Sequence, residues 1–477
     1  MPSLRSDLVS PAAAGASDHR RRPSPSGERE RPGHDPWSGV PAILARIPAL
    51  SFPARDHVVT NYGAVGDGRA DDQAAIVRAI AACAEGGGGR VVLPPGDFLT
   101  GPLQLRSGVN LHVGAGATLR FTTDSCRYLP PVLTRWEGIE CMGLSPLIYA
   151  LDQEHIAVTG GGVLDGQAGP GRWWHWAGPW DDGLATGWTP GEPYQAAARD
   201  RLQRWAESGI PVGERVLTER DRLRPMFVQF YRCHDILVEG ITLRNTPMWG
   251  IHPVLCRAVT VRRIEVISHG PNNDGCVPDS SHDVLVEDCV FDTGDDCLAI
   301  KAGRNHDGWR VNAPADCIVI RGCRMRGGHS AVAIGSEISG HIRRVFIERC
   351  TLAGAQLDHV VRIKANSTRG GVVEQIHLRD IAASQACEAA VRVDLRYDEA
   401  VEQGDRWPQV RDVAIDRLDC EHSERAIWIE GLAAMPVRGL RISDSVFRRV
   451  NAPNILREVE GFSAPRTVFA APVHGHQ

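Results

Sequence analysis

The ten residues Ile236 to Asn245, ILVEGITLRN, return with small changes through the rest of the chain. They recur as VTVRRIEVIS from Val259, VLVEDCVFDT from Val284, IVIRGCRMRG from Ile318 and VFIERCTLAG from Val345. IHLRDIAASQ from Ile376, VAIDRLDCEH from Val413 and LRISDSVFRR from Leu440 complete the series. Apolar residues hold positions one and three, and a polar pair follows. Position six (Ile241, Ile264, Cys289, Cys323, Cys350, Ile381, Leu418, Ser445) can be buried. Period-two alternation broken by a polar pair reads as strand, tight turn, strand. Successive starts lie 23, 25, 34, 27, 31, 37 and 27 residues apart. A strand-bearing repeat of that length, with almost no helix, predicts an all-β solenoid: a single right-handed parallel β-helix. One coil cannot bury its inner face alone. Stacking at about 4.8 Å brings equivalent side chains into register and turns the position-six cysteines into an inward packing ladder.

Working back toward the N-terminus, RVVLPPGDFLTGPLQL from Arg90, VNLHVGAGATLRF from Val109 and IAVTGGGVLDG from Ile156 fit the same plan more loosely. Between Ala70 and Gly89 the period changes. Asp71 or Asp72 can cap a helix whose Ile76, Ile80 and Cys83 share a face, and the glycines from Gly86 stop it. Such a helix would cover the open end of the solenoid and its strand edge. Residues 165–224 interrupt the repeat with WWHWAGPW and a polar, Arg-rich stretch, and are read as a long loop insertion, a usual place for ligand contacts. Residues 1–36 are rich in Pro, Ser, Arg and Gly and are expected to be disordered, leaving 37–477 as the β-helix domain.

Composition narrows the function. With a net charge of −5, a nucleic-acid partner is not expected, and any anionic ligand must be met by a local group of cations. No apolar run reaches the about 18 residues a membrane span needs. The first residues lack the apolar core of a secretory signal, so the expectation is a cytoplasmic protein, with export the alternative if the start lies elsewhere. Thirteen cysteines without CxxC spacing favour neither a disulfide framework nor a zinc site.

Of 53 basic residues only Lys301 and Lys364 are lysine. Both end segments of one shape, DDCLAIK from Asp295 and DHVVRIK from Asp358. Aligning the strands that begin at Asp274, Asp296, Ser330 and His359 makes Asp274 equivalent to Asp296, Asp295 to His329, and Lys301 to Lys364 two coils on. Alternation points Arg362 and Lys364 to one side of the inward Ile363. Taken singly, each aspartate reads as a turn cap, His329 as a turn residue and the cations as a solvated face. Together, carboxylates stacked at coil spacing repel, a cost tolerated where pKa values are to be driven apart for acid/base work. One protonated carboxyl and one carboxylate, with room for a water between them, suit inverting hydrolysis of a glycosidic bond. The cations beside them point to a uronic-acid polymer.

These residues also carry a resemblance. Asn272-Asn273-Asp274 is similar to the Asn-Thr-Asp motif of glycoside hydrolase family 28, the polygalacturonases and their relatives. Gly294-Asp295-Asp296 matches its Gly-Asp-Asp, Gly328-His329-Ser330 resembles its Gly-His-Gly, and Arg362-Ile363-Lys364 matches its Arg-Ile-Lys. NYGAVGDG, GPNNDG, GDDCLAIKAGRN and AIGSEISG look like bacterial members, and the resemblance runs from about residue 56 to the end. It implies an inverting hydrolase of α-1,4-galacturonosidic bonds in pectic chains, without cofactor or metal. Asp295 would be the general acid supported by His329, and Asp274 and Asp296 would activate the water. Asn272, Arg362 and Lys364, with Lys301, would bind substrate. Asn273 and Ser330 depart from the pattern and put the exact pectic substrate in question. If the insertion at 165–224 blocks one end of the cleft, exo action is expected. The alternatives are a hydrolase of another pectic glycan such as rhamnogalacturonan, a calcium-dependent pectate-lyase-like β-eliminase, and a non-catalytic carbohydrate-binding β-helix. Calcium dependence and ultraviolet absorption of the product separate them.

Overall fold

All eight repeat starts pair in parallel register, Ile236 on Val259, Val259 on Val284, and onward to Val413 on Leu440. A computed structural model describes residues 35–180, 184–397 and 404–470. The chain divides into two units, 1–38 and 39–477, and only residues 35–38 of the first are described. The expected disordered stretch 1–36 lies outside the described residues but for Asp35 and Pro36. The second unit is a right-handed parallel β-helix whose strands join into a 28-stranded sheet.

The bend in each repeat has one backbone cause. Position five, from Gly240 and Arg263 to Arg417 and Asp444, has φ between 50° and 74° in every copy. That left-handed conformation costs a non-glycine residue about 1–2 kcal/mol. It is repaid at once, because the turn drops position six into the core, where all eight side chains are buried. The cysteines there are free thiols. Their thiol neighbours and burial push Cys323 and Cys350 far above the ordinary thiol range, which keeps them unreactive and leaves them a packing role.

The helix Gln73–Glu85 forms as expected, with Ile76, Ile80 and Cys83 buried against the first coils. Its capping differs from the expectation. Asp72 occupies the N-cap position, but its carboxylate accepts from Val65 N at 2.6 Å and Gly66 N at 3.1 Å, fastening the preceding loop. Asp71 accepts from Gln73 N at 3.1 Å instead. No helix among the described residues is long and apolar enough to cross a membrane.

Two excursions rise from the early coils over one face. The 165–224 insertion is more than a loop: it carries the helix Ala196–Glu207, with Ala198, Leu202 and Ala206 buried. The other was not anticipated. Val132–Trp136 and Ile139–Gly143 form an antiparallel hairpin, anchored by a fully buried ion pair from Arg135 Nη1 to Asp279 Oδ1 at 2.9 Å. Both excursions pack on the outward side chains Trp249, Val277, Ala299 and Ala333. The two small alanines in that row leave space above the sheet.

Candidate active site

Under the excursions the register is the one the segments suggested. Cys276 bridges Leu298, Leu298 pairs with Val332, and Val332 with Val361. Asp274 and Asp296 therefore stack on successive coils, Asp295 lies over His329, and Lys301 and Lys364 occupy one column on either side of Gly335. They line a pocket of about 550 Å³. All eight residues expected at the site, Asn272, Asp274, Asp295, Asp296, Lys301, His329, Arg362 and Lys364, reach it.

Asp274, Asp295 and Asp296 each bring a carboxylate oxygen within 4.8 Å of the other two. Three such groups cannot all ionise freely, and their surroundings decide which one keeps a proton. Burial alone would raise Asp296. Lys364 Nζ, 2.8 Å from Asp296 Oδ2, outweighs it and brings the pKa down to about 2. Burial, then the Asp295 carboxylate, push Asp274 well above the usual carboxylate range against the pull of Lys301. Burial and its neighbours thus disfavour the charged form of Asp274, while Lys364 favours that of Asp296. Asp295 is the most exposed of the three at 13% of its side chain, against 1% for Asp296. His329 Nδ1 lies 3.7 Å from Asp295. Burial opposes a charge on His329, but Asp295, Asp296 and Asp358 outweigh it and raise its pKa.

The lysines are more deeply engaged than expected. Lys364 serves Asp296, and its ammonium also lies 5.3 Å from the centre of the Tyr397 ring. Lys301 is not at the edge of the cleft. It is buried, donates to Glu337 Oε2 at 2.7 Å and Gly335 O at 3.0 Å, and sits 4.9 Å from the Trp249 ring centre. Burial works against its charge, and Glu337 and Asp274 more than restore it. Arg362 keeps a looser contact, 3.6 Å from Asp394, with its guanidinium 5.3 Å from the Tyr397 ring centre, and can turn to a ligand.

Neither departure from the motif pattern touches the pocket. Asn273 is buried and ties its own turn, accepting from Ser268 Oγ at 2.6 Å and Gly270 N at 2.9 Å. Ser330 is buried as well. The doubt they cast on substrate choice has no contact to act through. Asn272 is positioned by Arg224, a fully buried guanidinium that donates to Asn272 Oδ1 at 2.6 Å and to Gln195 of the insertion at 3.1 Å. The walls were missed from sequence: Trp180, Tyr194 and Arg199 from the insertion, Glu137 from the hairpin tip, and Arg304 and Glu337 from the loops after two site strands.

Comparison with known proteins agrees with this geometry. Residues 211–450 match the family described as glycosyl hydrolases family 28. Residues 58–126, the first coils, match one described as rhamnogalacturonase A/epimerase, pectate lyase-like, and hold none of the site residues. A probable polygalacturonase of Vitis vinifera is 26% identical over 87% of this chain and 80% of its own length. An exo-poly-alpha-D-galacturonosidase of Dickeya chrysanthemi is 27% identical over 71% of this chain, which spans 57% of that enzyme. The crystal structure of a hyperthermoactive exopolygalacturonase from Thermotoga maritima superposes with a TM-score of 0.87 at 41% identity, covering 91% of this chain and 96% of that one. Motifs, fold and site agree, and the chain belongs to glycosyl hydrolase family 28.

Proposed function

We propose that this chain hydrolyses α-1,4-linked galacturonan from a chain end, with inversion at the anomeric carbon. The observation that carries the reading is the three-aspartate cluster on the floor of a pocket that also presents Arg362 and Lys364. The likeness to the Thermotoga exopolygalacturonase supports the substrate, and the excursions over the pocket support end-wise action.

Asp296, kept ionised by Lys364, is the base. Asp295, the member that protrudes and has His329 beside it, is the acid that donates to the leaving oxygen. Water adds to the anomeric carbon as Asp296 takes its proton, the C1–O bond breaks, and Asp295 protonates the departing oxygen. Asp296 returns its proton to the cluster afterwards. Direct attack by a carboxylate, the retaining course, would require Asp274 or Asp296 to rise from the pocket floor, where they are only 3% and 1% exposed. Incubation with pentagalacturonate should release only the monomer and the tetramer at early times. Early dimers and trimers would contradict end-wise action.

A further inference from the structure

The hairpin places a strained acidic residue inside the pocket. Glu137 and Gly138 make its two-residue turn, with φ of 42° and 78°. Both central positions of such a turn favour Asn, Asp or Gly, and a glutamate there is uncommon. The hairpin is held so that the tip cannot retreat. Arg135 is locked on Asp279 and Ser280, Glu140 N donates to Asp307 Oδ2 at 2.8 Å, and Arg304 N donates to Gly138 O at 3.1 Å. A Cβ on Gly138 would lie 2.8 Å from Glu337 Cγ, so the tip presses directly against that residue.

The Glu137 carboxylate is 15% exposed, with Arg304 Nη1 at 3.5 Å. The same Nη1 lies 3.9 Å from Glu337 Oε1. These are ion-pair distances, too long for hydrogen bonds, and among the described residues neither the Glu137 carboxylate nor the Arg304 guanidinium makes one. Acceptors and donors are thus left for a ligand. Arg362 and Lys364 stand two coils further along from Lys301, so the pocket has cations toward one end and cation-backed carboxylates toward the other.

From this arrangement we infer that Glu137, supported by Arg304, selects the chain end by accepting hydrogen bonds from the vicinal 3- and 4-hydroxyls of the terminal galacturonate. The inference rests on the proposed galacturonan hydrolysis and adds how the end is recognised. A carboxylate only accepts, and a hydroxyl can donate to it. Within a 1,4-linked chain, O4 is the glycosidic oxygen: it has no proton to give and carries the next sugar. Only the non-reducing end offers a free 4-hydroxyl. A site built to bond a hydroxyl rejects an analogue lacking it by about 10⁴–10⁵-fold, which is enough to make attack on interior bonds negligible.

Glu137→Asn tests this on the whole protein. Asparagine suits the left-handed turn better than glutamate, so the melting temperature should hold or rise. The shorter amide cannot reach as the carboxylate does. Two substrates are compared: trigalacturonate, and the trimer whose non-reducing residue is 4,5-unsaturated and so lacks the 4-hydroxyl. The wild type should prefer the saturated trimer by at least about 10³-fold in kcat/KM. In the variant, kcat/KM on the saturated trimer should fall by about the same 10³-fold while that on the unsaturated trimer holds, so that the preference collapses toward unity. An unchanged preference in Glu137→Asn, with or without a loss of rate, would overturn the assignment and leave Glu137 a structural residue. If wild type releases galacturonate from neither trimer, the underlying substrate reading fails, and this inference falls with it.

Discussion

Replacing Lys364 by methionine tests the electrostatic core of the mechanism, because the ammonium has two possible jobs that respond differently to pH. In the native site Lys364 Nζ lies 2.8 Å from Asp296 and holds its pKa down to about 2, against burial that pushes the other way. Methionine keeps most of the side-chain length and removes the charge. Burial is then opposed only by the weaker pull of Lys301 and His329, and Asp296 should titrate at or above the ordinary value of about 3.9. The rise is at least about two units, or roughly 2.6 kcal/mol of stabilisation withdrawn from the ionised base. The acid limb of the kcat/KM profile on trigalacturonate should move up by at least about two pH units, and raising the pH should restore part of the activity. The linked stability has the same sign. A depressed carboxylate stabilises the native protein above about pH 4, and that contribution is lost as pH falls toward 2. The variant should therefore lose less stability than wild type over that interval. A uniform loss of rate at every pH, with the acid limb in place, would refute the reasoning. It would mean that Lys364 serves the substrate carboxylate alone.

Two further outcomes follow from the same cluster. Asp295→Asn should cut kcat by about 10²–10⁴-fold with the fold intact by circular dichroism, because an amide cannot donate to the leaving oxygen; a near-normal rate would remove Asp295 from the acid role. Asp274→Asn should slow turnover yet raise the melting temperature at pH 7. A carboxyl whose folded pKa is raised contributes stability that is fully present below about pH 4 and lost as pH rises through the folded value. The amide does not titrate, so its advantage over wild type should be present at neutral pH and absent near pH 3. A lower melting temperature at pH 7 would contradict the strained state of Asp274.

The coils and catalytic cluster could be read from the sequence because both follow from register. Once Ile236 is placed on Val259, each later repeat falls into line, and the stacking of Asp274 on Asp296 and of Asp295 on His329 is arithmetic. The walls depend on contacts that no period encodes. The hairpin at 132–143 escaped notice because each arm has consecutive buried residues, such as Thr134-Arg135-Trp136 and Ile139-Glu140-Cys141, so the alternation of a half-buried strand is lost. Its one visible signal was the Glu137-Gly138 pair between two apolar runs. In the insertion, Ala198, Leu202 and Ala206 recur every fourth residue, a helical spacing obscured by the three arginines Arg199, Arg201 and Arg204 and their neighbours' polarity. The column shared by Lys301 and Lys364 was legible, but their different partners were not. Glu337 enters from a loop beyond its strand, and Asp296 meets Lys364 across 68 residues of sequence.

The most direct test of the central claim is proton NMR of pentagalacturonate in the first minutes of digestion, before the new reducing ends mutarotate. Inverting attack from the chain end predicts monomeric galacturonate as the sole small product, appearing first as the β-anomer. The α-anomer appearing first would show retention, and would place one of the three carboxylates on the anomeric carbon in place of water.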